Sequence, residues 1–209
     1  MEVRKVIPSH LGWLEATLDQ SQIDFLWERI NNHQGDCYKK NLAGNISKSF
    51  AITDSEDDWF FNEVLVPQVV VYRGMHGSDP VMTHMDGNLQ LYLRELWVNY
   101  QYQGEVNPFH FHGGMYSFAI WLKVPTDWRD QIKLPFLEGT PEISRKPNSF
   151  EFEYLDMLGG IRNYGYRLDP SREGDMVFFP AALRHAVYPF YDCEEPRISV
   201  SGNLWYRRP

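Results

Sequence analysis

The chain has 209 residues and a formal net charge of −8; 43% of its residues are hydrophobic and 15% aromatic. That length fits one domain, whose apolar content can build a core without disulfide staples. No Lys/Arg cluster tracks along one face, which speaks against a partner held through a nucleic-acid backbone.

Cys37 and Cys193 are too far apart in the chain to form a disulfide framework, and neither belongs to a CxxC pair. Free thiols in a reducing cytosol, and so a cytoplasmic location, are the expectation. The opening stretch MEVRKVIPSHLGWLEATLDQ lacks the apolar core of a signal peptide. No apolar run reaches the roughly 18 residues of a membrane span, so no membrane partner is expected.

In chain order, Arg4 to Pro8 reads as a strand. Ser21 is placed to cap a helix from Gln22 to about Asn32, in which Ile23, Leu26, Trp27 and Ile30 recur at helical spacing. Residues 33–58 are polar and turn-rich. Phe60 to Val71 is apolar and reads as helix or strand; Pro67 weakens a helix interior, while the Leu65, Val69, Tyr72 spacing suits one. Residues 74–88 are loop-like.

The pattern changes at Leu89. From there to Val124, β-formers alternate with polar residues, with Trp97, Asn99 and Gln101 on one side and Val98, Tyr100 and Tyr102 on the other. Residues 126–148 hold charges and three prolines and read as a long surface excursion or lid. Short strands are expected over 150–154, 162–168, 176–179, 186–188 and 197–205. A single domain over 1–209 follows, with a mixed helical and irregular part over 1–88 and a β core over 89–209. The fold class is mainly β with flanking helices, the layout of a double-stranded β-helix or jelly roll.

Two stretches carry chemistry. Asn107-Pro108-Phe109-His110-Phe111-His112-Gly113-Gly114 places two imidazoles at i and i+2, the same face of a strand. Gly174 to Pro180 answers it and ends in His185. Imidazole suits Fe(II), Zn, Ni and Cu, so His110, His112 and His185 form the expected metal site. If strands 186–189 and 197–204 make a hairpin, His185 falls opposite Arg197 and Ser199. A guanidinium and a hydroxyl on one face form a receptor for a carboxylate. Tyr100 and Tyr102 precede the histidine pair and offer a phenol to the same carboxylate. Ser117, Trp121 and Asn203 are candidates for the barrel interior.

The order His-x-His, distal His, Arg-x-Ser resembles the 2-oxoglutarate and Fe(II)-dependent oxygenases. The strings NPFHFHGGMYSFAIWLKVP, GDMVFFPAALRHAVYPF and EPRISVSGNL resemble small members of that superfamily common in marine phage genomes, over about residues 90–205. The string LAGNI at 42–46 is also similar to a segment of those proteins. The resemblance implies a jelly roll, Fe(II), 2-oxoglutarate held through Arg197 with Ser199 and Tyr102, dioxygen as co-substrate, and hydroxylation of a substrate the sequence does not name. The host cytoplasm is the location implied for a phage-encoded member.

One departure stands out. Most of that superfamily has His-x-Asp or His-x-Glu, and this chain has His112 in the carboxylate place. Either three histidines make the site, or Asp86 or Glu105 completes it. His84 with Asp86 forms the superfamily's preferred HxD, but it precedes the β-rich block and is read as a decoy. Two alternatives stay open. A cupin-type metalloenzyme fits the glycine and histidine spacing, but lacks that family's usual Glu four or five residues after the HxH. A non-catalytic jelly-roll binding protein is the other. Exposed aromatics on the helical side would permit a homodimer on any of these readings.

Overall fold

The computed structural model describes residues 12–33, 35–77 and 89–208. The strand expected over Arg4 to Pro8 and the His84, Asp86 pair lie outside the described residues. The chain folds as a two-sheet jelly roll. Six strands form the larger sheet, in the order β1 (Leu14–Thr17), β8 (Asp175–Pro180), β5 (Tyr116–Lys123), β10 (Arg197–Arg207), β3 (Gln90–Gln101) and β2 (Lys48–Ala51). Four form the smaller one, in the order β4 (Asn107–His110), β9 (Arg184–Val187), β6 (Ser149–Leu155) and β7 (Ile161–Arg167). Among the described residues, all pairings are antiparallel.

Both faces of the larger sheet are buried, which is why its central strand β5 reads as a nearly unbroken apolar run. Phe118, Ile120, Met176, Phe178 and Val200 turn outward onto α1 (Gln20–Asn31) and α2 (Val66–His76), meeting Leu26, Ile30, Val69 and Tyr72. Ala119, Trp121, Val177 and Phe179 turn inward and meet Phe150, Phe152 and Tyr166 of the smaller sheet. Successive strand residues point to opposite faces, so one strand serves two cores. Each fully buried Phe or Leu contributes about 1.5–3 kcal/mol of transfer free energy.

The helices are set by their ends. Asp19, not Ser21, caps α1: its carboxylate accepts from Gln22 N at 3.0 Å, and the Gln22 side chain accepts from Asp19 N at 3.0 Å. This reciprocal box satisfies two otherwise unpaired N–H groups. Ser21 instead donates to the same carboxylate. The ambiguous 60–71 stretch is helical. Asp54 accepts from the amides of Phe60 and Phe61, a π-helical turn spans Phe61–Leu65, and Pro67 falls in the first turn of α2, where its missing N–H is harmless.

The hairpin expected between 186–189 and 197–204 does not form. β9 pairs with β4 and β6, while β10 pairs with β3 and β5 in the other sheet. Consecutive strands here cross between the sheets. The 126–148 excursion holds α3 (Trp128–Gln131) and two short 3-10 turns. It is closed by Asn148, fully buried in the left-handed region at φ 54°, which Asn tolerates better than most residues. Among the described residues, no helix is long and apolar enough to cross a membrane.

Candidate metal and anion site

His110, at the end of β4, lies directly across from His185 on β9. Their rings are 4.2 Å apart. β4 stops at His110, and His112 stands two residues beyond it, where its amide donates to Ala181 O at 2.8 Å. The loop can turn here because of Gly114 (φ 102°): a Cβ at this position would sit 2.7 Å from Leu204 O and 2.9 Å from the Trp205 indole. The same tether keeps the i, i+2 relation. Phe111 points to solvent, and His112 turns back to within 5.0 Å of the His110 ring and 5.1 Å of the His185 ring. One nitrogen from each of the three lies within 4.8 Å of the others.

These imidazoles are held neutral, the form in which imidazole can bind a metal. Burial lowers the pKa of all three; His112 is pushed down to about 4 and His185 well below its ordinary value. The neighbouring imidazoles push the same way for His112 and His185. His110 Nδ1 donates to Pro108 O at 2.7 Å, and His185 Nδ1 donates to Leu183 O at 2.9 Å. Fixing Nδ1–H in this way leaves each Nε2 lone pair for a metal. The Asn107 amide lies 3.3 Å from His110 Nε2, the position an ion would take over. Phe150, Phe152 and Phe179 pack around His185, and Trp97, stacked on Tyr38 at 4.7 Å, packs against His112. The donor set and its aromatic surroundings fit a divalent transition metal.

Among the described residues, no carboxylate joins this cluster. Glu105 does not: its two oxygens accept from the amides of Ser47 and Tyr102, each at 2.9 Å. Nor does the cupin-type Glu have a counterpart among them.

The cavity that His110, His112 and His185 share also takes in Arg197, Ser199 and Ser201 from β10 and Trp97 and Asn99 from β3. Arg197 is fully buried. Its Nε donates to Gln101 Oε1 at 3.2 Å, its Nη1 to Asn148 Oδ1 at 3.0 Å, and its Nη2 to Tyr188 O at 2.9 Å and to Gln101 Oε1. Phe190 lies beneath the guanidinium. Burial pushes the group down to about 9, still protonated at neutral pH. Among the described residues, no carboxylate pairs with it.

Ser199 therefore shares the cavity with Arg197 and the three histidines. Tyr102 does not line it; the residue lies just beyond the end of β3, where its amide donates to Glu105. Tyr100 also faces away, packing under the Lys48 ammonium and against Phe50. Trp121 lines the cavity, whereas Ser117 and Asn203 are buried together and hydrogen-bonded at 2.6 Å. Asp175 is structural, paired with Arg172 and accepting from Thr17.

Several residues were not singled out from the sequence. Gln101, Asn148 and the Tyr188 carbonyl hold Arg197. The face shared by Trp97, Asn99 and Gln101 was a usable signal for the first; nothing marked the other two. Leu42 and Ala43, from the LAGNI string, wall the same cavity. Gly44 is what lets that strap lie close: a Cβ there would be 2.3 Å from Val106 O and 2.5 Å from Asn107 Cα.

A family described as "Putative 2OG-Fe(II) oxygenase" matches residues 95–203, just over half of the chain and the span that contains all three histidines and Arg197. Among curated proteins, none matches by sequence. Solved structures share the fold at low identity. A prolyl-4-hydroxylase from Pseudomonas putida is similar at 13% identity and TM-score 0.53, over 95% of this chain and 94% of that one. A 2OG-Fe(II) oxygenase family oxidoreductase from Burkholderia pseudomallei gives 10% and 0.57, over 93% and 85%. A prolyl hydroxylase from Trichoplax adhaerens gives 12% and 0.51, over 93% and 83%.

Proposed function

The chain belongs to the 2OG-Fe(II) oxygenase family and is a 2-oxoglutarate-dependent dioxygenase, and we propose that it hydroxylates its substrate at a three-histidine iron site paired with Arg197. His110, His112 and His185 would hold Fe(II). The bound metal and keto acid supply the chemistry, activating dioxygen as 2-oxoglutarate is decarboxylated.

The protein's part is binding, orientation and exclusion of water. The Nδ1 bonds to Pro108 and Leu183 fix two of the imidazoles. Three neutral histidines leave one more unit of positive charge than a set with one carboxylate, which favours a dianionic keto acid. Arg197 holds the distal carboxylate. Of the guanidinium's five N–H groups, four are used within the protein, leaving one Nη1–H for the ligand beside the Ser199 hydroxyl. Phe150, Phe179 and Val187 close the walls.

The observation that carries this reading is a fully buried guanidinium, without a carboxylate among the described residues, in the same cavity as the histidine cluster. An uncompensated buried charge is costly to maintain and marks a place for an anion. Titrating the anaerobic Fe(II) protein with 2-oxoglutarate should raise a visible metal-to-ligand charge-transfer band. Arg197→Ala should abolish it at the same concentration. Metal binding without the band in the wild type would point to a metalloenzyme that does not use the keto acid. No metal binding would point to a non-catalytic barrel.

A further inference from the structure

Arg197 is held by neutral groups. A buried guanidinium most readily satisfies its donors with a carboxylate, bidentately. Here the corresponding places are taken by two carboxamides, Gln101 and Asn148, and a backbone carbonyl. Each carboxamide is itself fixed on its other side. Gln101 Nε2 donates to Glu105 O at 2.6 Å, so its oxygen must face Arg197. Asn148 Nδ2 donates to Thr126 O at 2.9 Å and Leu168 O at 2.7 Å, which orients its oxygen in the same way. Gln101 is 4% exposed and Asn148 0%, so both carboxamides are shielded from bulk solvent.

We propose that Gln101 and Asn148 are positioning residues for the co-substrate anion: they orient Arg197 as carboxylates would, but leave its charge free for the ligand. This rests on the reading of Arg197 as the distal-carboxylate receptor. The chemistry follows chiefly from charge. A Glu at 101 would present the same acceptor to Nε and Nη2, while its second oxygen would lose the amide's hydrogen bond to Glu105 O. It would also neutralise the guanidinium, so that an incoming carboxylate would meet a closed ion pair and an extra negative charge. Selectivity for a keto acid with a second carboxylate thus depends on an amide being neutral.

The test uses the full chain loaded anaerobically with Fe(II), with dissociation constants read from the charge-transfer band. 2-Oxoglutarate is compared with pyruvate, which has the chelating keto-acid end but no distal carboxylate. Gln101→Glu is expected to fold and to weaken 2-oxoglutarate about 100-fold, the scale of one lost charge-assisted interaction. Gln101→Met keeps the positive charge and loses only the orientation, so it is expected to weaken 2-oxoglutarate about 10-fold. Pyruvate affinity should be unchanged in both.

2-Oxoglutarate binding to Gln101→Glu within about threefold of wild type would overturn the proposal. So would a parallel fall in pyruvate affinity, since damage to the metal site or the fold would explain both. Asn148→Asp places the same charge on the other side of the guanidinium and decides the question if Gln101→Glu does not fold. If the wild type gives no band with 2-oxoglutarate, the functional reading fails; if the wild type gives it and Gln101→Glu reaches it at a near wild-type dissociation constant, only this inference fails.

Discussion

The closest pair in the histidine cluster, by ring separation, is His110 with His185, 4.2 Å apart across the β4–β9 pairing, rather than His110 with His112 at 5.0 Å on one stretch of chain. The two strands carry these rings into place through a pairing that is irregular between Asn107 and His110. His112 is positioned by a loop and one backbone hydrogen bond to Ala181.

Metal occupancy should follow that difference. His185→Ala and His110→Ala are expected to abolish stoichiometric Fe(II) or Co(II) binding, measured by elemental analysis after desalting. His112→Ala should retain a weaker site. His112→Asp, which restores the commoner donor set, should keep full occupancy. Full metal occupancy in His185→Ala would remove that residue from the site.

Ligand binding should stabilise the fold through Arg197. At a concentration 100 times its Kd, 2-oxoglutarate added to the metal-loaded protein should stabilise it by about 2.7 kcal/mol. For a chain of this size that is a rise in Tm of roughly 5–10 °C by differential scanning calorimetry. Arg197→Met should show no such rise, and an equal rise in that variant would show the anion binding elsewhere.

Acid should destabilise the metal-free protein in a defined window. The three histidines titrate near 6.5 in the unfolded chain and lower in the fold. Between those values the unfolded state binds more protons, so stability rises with pH. The contribution is fully present above pH 6.5 and is lost as pH falls toward 4. Urea midpoints measured from pH 7.5 to 4 should fall over that range, and replacing His185 with Phe should flatten the slope. An unchanged slope in that variant would rule out His185 as its source.

The LAGNI strap should depend on the absence of a side chain at 44. Gly44→Ala forces a Cβ against Val106 O and Asn107, a clash costing about 1–3 kcal/mol. The loss should appear as a lower Tm together with faster hydrogen exchange at Asn45 N, whose bond to Val106 O holds the strap down. A Tm equal to wild type would mean that the strap is free to lift.

The α1 cap gives a prediction independent of the site. Asp19→Ala should cost about 0.5–2 kcal/mol, read from chemical denaturation. Ser21→Ala should cost less, because its hydroxyl only supports the Asp19 carboxylate.

Much of the fold was legible because β-formers alternate with polar residues from Leu89 onward and helical spacing marks Ile23, Leu26, Trp27 and Ile30. Phe118 and Ile120 against Ala119 and Trp121 separate two cores by parity alone. The β9–β10 hairpin was misread for a physical reason: strands close in sequence usually pair, but in a two-sheet sandwich the chain crosses between sheets, and no local residue announces the crossing. In the site, His110, His112, His185, Arg197 and Ser199 could be picked out by type and spacing, and the structure brings them to one cavity. Tyr102 could not be judged in the same way, since a register of one residue decides which face it takes. Gln101 and Asn148 were hidden because an amide carries no chemical signal until the arginine it holds is seen.

The histidines belong to the smaller sheet and the loop after it, and Arg197 and Ser199 to the larger. A molecule gripped by both ends therefore spans the gap between the layers. Binding would close the open side of the sandwich much as a clasp joins two covers. Mechanical rigidity across the mouth would then be a property of the loaded protein, and the separation between the sheets would set the length of acid that can fasten it.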